Sequence, residues 1–104
     1  MGFVKVGAAS LLPAGSVTEA LIGDRSYAVC NLDGQYHALG GTCPHAGGPL
    51  GQGRLEGGLV VCPWHEWAFD CTTGSNDYDP AIKLELFPVK VEGGDILVDP
   101  DIHA

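Results

Sequence analysis

Cys43-Pro44-His45 and Cys62-Pro63-Trp64-His65 each set a thiol beside an imidazole, and sixteen residues separate His45 from Cys62. The two pairs make a split metal site. Two Cys and two His in the order Cys, His, Cys, His suit a binuclear iron-sulfur centre, one iron keeping two thiolates and the other taking two imidazoles. Pro44 and Pro63 follow the cysteines directly, where each removes a backbone donor and stiffens its loop, while neighbouring glycines let amides turn toward sulfur. The chemistry expected of such a centre is one-electron transfer.

The segments around these loops read as short strands. Phe3 to Val6 alternates, and Ser16 to Ile22 and Tyr27 to Leu32 flank a turn at Gly23-Asp24-Arg25-Ser26. Asp33-Gly34 lies between two alternating runs, the chemistry of a two-residue hairpin, so Gln35 to Leu39 returns as the next strand. From Gly40 to Gly53 the pattern stops in a glycine-rich loop around Cys43 and His45. Arg54 to Glu56, a turn at Gly57-Gly58, and Leu59 to Val61 form a hairpin leading back to Cys62. Trp67 to Asp70 is a short strand before the turn Thr72 to Ser75. Asn76 to Ile82 has no period and reads as an extended connection, after which Leu84 to Glu92 and Asp95 to Val98 close the chain as a hairpin at Gly93-Gly94.

The chain has 104 residues, with 16 Gly and 7 Pro, and lacks an apolar 3.6-period segment of helical length. One all-β domain over 1–104 is expected, an antiparallel sandwich or barrel with a smaller metal-binding lobe at about residues 41–72. No apolar run reaches the roughly 18 residues of a membrane span. The start of the chain lacks a basic segment followed by an apolar one, so no secretory signal is read and a cytoplasmic location is expected. Thirteen acidic against five basic side chains give a formal charge of -8. That charge repels nucleic-acid phosphates and anionic membranes and favours basic protein surfaces as partners. The competing view is that acidity only maintains solubility.

At the two Cys-His pairs the chain resembles the Rieske family, whose pattern is Cys-x-His, a spacer of this length, then Cys-x-x-His. The likeness extends to Gly47-Gly48-Pro49-Leu50 after the first pair, and to Trp67-Ala68-Phe69-Asp70 and Thr73-Gly74 after the second. The resemblance implies a Rieske-like fold and a [2Fe-2S] cluster, with Cys43 and Cys62 on one iron and His45 and His65 on the other. It implies further that the imidazoles lie at an exposed tip and serve as the electron's exit. Neutral imidazoles in place of two thiolates raise the potential, within a range of roughly -150 to +300 mV. High-potential members add a disulfide and two hydroxyls near the cluster. The matching positions here are Gly48, Trp64, Trp67 and Phe69, so the low end is expected. Glu66 departs from relatives that carry Gly after the second His, either as a docking or tuning charge or as an exposed side chain with neither role.

The family likeness points to an electron-carrier protein between a flavoprotein reductase and a terminal oxygenase, as in ring-hydroxylating dioxygenase systems. No residues remain for the mononuclear-iron domain of the oxygenases themselves, so the chain is not expected to be an enzyme alone. A second reading is the small subunit of NADH-dependent nitrite reductase, with the large subunit as partner. A third, of another class, is a structural zinc domain using two Cys and two His, although zinc modules usually pair Cys with Cys and His with His. Cys30 and Cys71 fall outside the ligand spacing and read as buried thiols, a disulfide being disfavoured in the cytoplasm. His37 and His103 read as structural or solvated, and Asp77, Asp79, Glu85 and Glu92 as solvated faces. Trp64 and Trp67 read as shields of the centre, with plain core packing the alternative for Trp67.

Overall fold

The computed structural model describes residues 2–42, 48–64 and 66–100. Ten strands run β1 (Val4–Ala8), β2 (Ser16–Ile22), β3 (Arg25–Leu32), β4 (Gln35–Gly40), β5 (Arg54–Glu56), β6 (Leu59–Val61), β7 (Ala68–Asp70), β8 (Leu86–Phe87), β9 (Val89–Glu92) and β10 (Asp95–Val98). Two single 3₁₀ turns, Ala9–Leu11 and Leu50–Gln52, are the helical elements among the described residues. No helix there is long and apolar enough to cross a membrane.

Among the described residues all strand pairings are antiparallel and form three sheets, in the orders β1-β10-β9, β2-β3-β4-β8 and β5-β6-β7. The four-stranded sheet is the middle layer. Along β3, successive side chains point to opposite faces: Tyr27 and Val29 join Phe87, Ile96 and Val98 in one core, while Ala28 and Cys30 join Val60, Cys62, Phe69 and Cys71 in the other. With both faces covered, β3 reads as an apolar run from Tyr27 to Cys30 rather than as an alternation.

Three two-residue turns set the hairpin registers. Asp33-Gly34, Gly57-Gly58 and Gly93-Gly94 each hold both central residues at positive φ, which matches the right-handed twist of the flanking strands. Buried Asn31 braces the first of these, accepting from the Gly34 amide at 2.8 Å and donating to the Leu12 carbonyl at 2.8 Å.

Two expectations are corrected. The run from Leu84 to Glu92 is not one strand: β8 belongs to the middle sheet and β9 to the terminal one, with Pro88 at the joint. Proline cannot donate to a ladder, so the chain changes sheets there without losing a paired amide. Asn76 to Ile82 is a closed turn rather than an extended connection. The Asn76 side chain donates to the Ala68 carbonyl at 3.1 Å and accepts from the Tyr78 and Asp79 amides at 3.0 and 2.8 Å. Its own amide donates to the Ile82 carbonyl at 2.8 Å.

Candidate metal centre

The candidate ligands fall by sequence in the loop after β4 and the loop between β6 and β7. At the base of the first loop, Thr42 and Pro49 bridge, and the Leu50 amide donates to the Gly41 carbonyl at 2.9 Å. A β-carbon at Gly41 would lie 2.7 Å from the Ser26 backbone, so only glycine lets the loop leave β4 this close to β3. The second loop is shorter: the Cys62 amide donates to the Trp67 carbonyl at 2.7 Å and closes the turn.

Cys62 follows β6 directly and is fully buried. Its sulfur accepts a hydrogen bond from the Trp64 amide at 3.4 Å. Gly48, from the first loop, packs against the same group: a β-carbon there would lie 2.9 Å from Cys62 Sγ and 3.0 Å from the Trp64 ring. The two loops therefore meet at one sulfur. Soft sulfur together with imidazole is a donor set suited to iron-sulfur chemistry and not to hard cations. Cys43, His45 and His65 lie outside the described residues, as does His103. Among the described residues no group of three His, Cys, Asp or Glu could hold a metal ion.

The indole of Trp64 is half exposed beside the sulfur, whereas Trp67 tilts against buried Phe69 with ring centroids 6.5 Å apart. Trp67 is thus a packing residue of the core around Cys62. Position 48 is occupied by backbone in tight contact and position 69 by a phenyl ring, so neither offers a thiol or a hydroxyl.

Glu66 has a φ of 57°, in the left-handed region. The loop demands there a conformation that glycine adopts freely and that a residue with a β-carbon resists. Its carboxylate lies 3.5 Å from the Arg54 guanidinium, which also binds Glu56, and all three side chains are exposed. The second loop is anchored downstream by Asp70, which accepts from the Thr72 hydroxyl at 2.6 Å and the Thr72 and Thr73 amides at 2.8 and 3.3 Å. These bonds, the hydroxyl foremost, hold the Asp70 carboxyl below the usual carboxylate range.

Cys30 and Cys71 are fully buried, and their sulfurs are 3.3 Å apart. Both are free buried thiols, as expected, and their contact arises because the topology brings β3 and the end of β7 together. His37, directly across from Cys30 on β4, is half buried, with no hydrogen-bond partner at Nε2.

The Rieske [2Fe-2S] domain model matches residues 2–90. The ferredoxin component of biphenyl 2,3-dioxygenase from Rhodococcus jostii is 38% identical over 101 residues, covering 95% of this chain and 94% of that protein. The ferredoxin component of the alkene monooxygenase system of Xanthobacter autotrophicus is 36% identical over 78 residues, 74% of this chain. That alignment spans 64% of the Xanthobacter protein, just under two thirds of its length. Among solved structures, the complex of reduced oxygenase and oxidized ferredoxin in carbazole 1,9a-dioxygenase contains a chain with TM-score 0.81 and 33% identity, covering 92% of this chain and 91% of that one. A protein assigned as the small subunit of NADH-dependent nitrite reductase from Mycobacterium tuberculosis has TM-score 0.81 and 28% identity, covering 93% of each chain. Since the matched span takes in both Cys-His pairs and every strand from β1 to β8, the chain belongs to the Rieske [2Fe-2S] domain family, with a Rieske-type [2Fe-2S] cluster as its cofactor.

Proposed function

We propose that this chain is an electron-transfer protein that receives one electron from a flavoprotein reductase and passes it to a terminal oxygenase. Cys43 and Cys62 would hold one iron through sulfur, and His45 and His65 the other through ring nitrogen. When bound, the cluster supplies a site that takes up and returns one electron. The observation that carries the reading is Cys62 Sγ, buried where the two ligand loops meet and already the acceptor of an amide hydrogen. What the chain's own residues do there is positional: the Trp64 amide orients the sulfur, Gly48 leaves room for the two loops to approach, and the Trp64 indole limits the approach of water.

The β5-β6-β7 sheet, separate from the other two sheets among the described residues, supports a lobe at about 41–72 standing on a single domain over 1–104. Ferredoxin components among the relatives, and a ferredoxin seated on an oxygenase among the structural neighbours, support an oxygenase as acceptor. The reductase as donor follows from the same class of system. A cytoplasmic setting accords with Cys30 and Cys71 as buried thiols. Likeness to the nitrite reductase small subunit favours a second reading, in which the acceptor is that enzyme's large subunit. Proteins that copurify with the chain distinguish the two.

Anaerobically purified protein should be reddish brown, contain iron and acid-labile sulfide in equal amounts, and give an electron paramagnetic resonance signal only when reduced. Cys62→Ser should abolish all three. A colourless protein with one zinc, or a Cys62→Ser variant that keeps its cluster, would overturn the ligand assignment.

A further inference from the structure

Cys30 and Cys71 take no part in the proposed cluster, yet their side chains converge. Cys30 is held in mid-sheet, between Val17 of β2 and His37 of β4. Cys71 leaves the end of β7, its amide bound to the Gly58 carbonyl at 3.1 Å and the turn after it fixed by Asp70. The two residues are 41 positions apart in sequence, one within the four-stranded sheet and the other just past the end of β7, and share a hydrogen bond between sulfurs at 3.3 Å. A single buried cysteine behaves as a small apolar residue. Two sulfurs in contact, on backbones each pinned by its own hydrogen bonds, make a dithiol arranged for cross-linking. A disulfide sets its sulfurs about 2.05 Å apart, so closure requires about 1.3 Å of approach, within reach of side-chain rotation.

We infer that Cys30 and Cys71 form a reversible disulfide under hydrogen peroxide, fastening the small sheet that carries Cys62 to the four-stranded sheet. Peroxide oxidises one thiol to a sulfenic acid and releases one water. The other thiol then attacks that sulfur, the S–S bond forms, and the sulfenic oxygen leaves as a second water. Peroxide accepts the two electrons and two protons that the thiols give up. A low-molecular-weight thiol restores the pair by two exchange steps and is itself oxidised to its disulfide. The hydrogen bond with Cys71, together with burial, holds the Cys30 thiol far above its ordinary range, while the same bond draws Cys71 downward. Both sulfurs are sealed from solvent, so the reaction proceeds through opening of the short β5–β6 hairpin, whose turn residue Gly58 binds the Cys71 amide.

The test uses the full chain with its cluster. Protein treated with hydrogen peroxide is unfolded in the presence of an alkylating agent, digested without reductant and mapped by mass spectrometry. The expected product is one linked peptide pair joining Cys30 to Cys71, two hydrogens lighter than its parts and lost on reduction. Adding a thiol reductant to the same oxidised sample should lower its melting temperature by about 5 °C or more. Cys30→Ser and Cys71→Ala should each remove the linked pair and the temperature shift. Alkylation of both residues after peroxide, linkage of either to Cys43 or Cys62, or a melting temperature indifferent to reductant overturns the inference. The mapping is done on the unaltered chain, so its result does not depend on whether the variants fold.

Discussion

Glu66 shows how one side chain can sit against the preference of its own backbone. A left-handed φ costs a residue with a β-carbon roughly 1–2 kcal/mol, and the ion pair with Arg54, exposed on both sides and screened by solvent, returns less. Glu66→Gly should therefore stabilise the protein, by about 0.5–1 kcal/mol in a urea titration. A loss of stability would mean that the Arg54 contact outweighs the backbone preference. The surroundings of the Cys62 sulfur argue a second outcome. Phe69 is buried there without a hydroxyl and Gly48 lies against the sulfur without a side chain, so neither position supplies the hydroxyl or the disulfide that the family resemblance assigns to high-potential members. Without those groups an added electron is less stabilised, which keeps the potential low within the Rieske range. Protein-film voltammetry should give a midpoint below about +100 mV, the lower part of the interval of roughly -150 to +300 mV.

Asn76 is the residue on which the connection between β7 and β8 turns. Its buried amide satisfies the Ala68 carbonyl and two backbone amides at once. Asn76→Ala leaves the Tyr78 and Asp79 amides without that acceptor, although the Ala68 carbonyl keeps the Asp77 amide at 3.0 Å, and should cost about 1–3 kcal/mol, measured as a lower denaturation midpoint with an unchanged slope. This turn was not legible beforehand, because hydrophobic period carries no information about a side chain that replaces backbone partners. The hairpins were legible, since Asp33-Gly34, Gly57-Gly58 and Gly93-Gly94 name their own dihedral angles. Strands β2, β5, β6 and β10 begin and end where their flanking turns imply. The break at Pro88 was missed for a different reason: Val89 to Glu92 continues an acceptable strand pattern, and nothing local says that the partner strand has changed. Likewise the ligand loops could be read from spacing, whereas the contact between Cys30 and Cys71 required knowing which sheets are stacked.

With thirteen acidic and five basic side chains, the protein approaches any partner as a net anion of formal charge -8. Beside the second ligand loop, Glu66, Asp77 and the almost fully exposed Tyr78 line one groove of about 400 Å³. If that face guides docking, the association rate with the electron acceptor should fall as ionic strength rises, while dissociation changes little. Stopped-flow measurements between about 10 mM and 150 mM salt span Debye lengths from roughly 30 to 8 Å and resolve the effect. A rate that ignores salt would leave acidity with solubility alone.

The pairing of β1 with β10 has a practical corollary. Both strands lie in the layer across the middle sheet from Cys62, so a dye or electrode tether attached to an exposed side chain of β1 or β9 would project from the rear of the molecule. Immobilised that way, the protein would present its sulfur-bearing loops outward to whatever exchanges electrons with it.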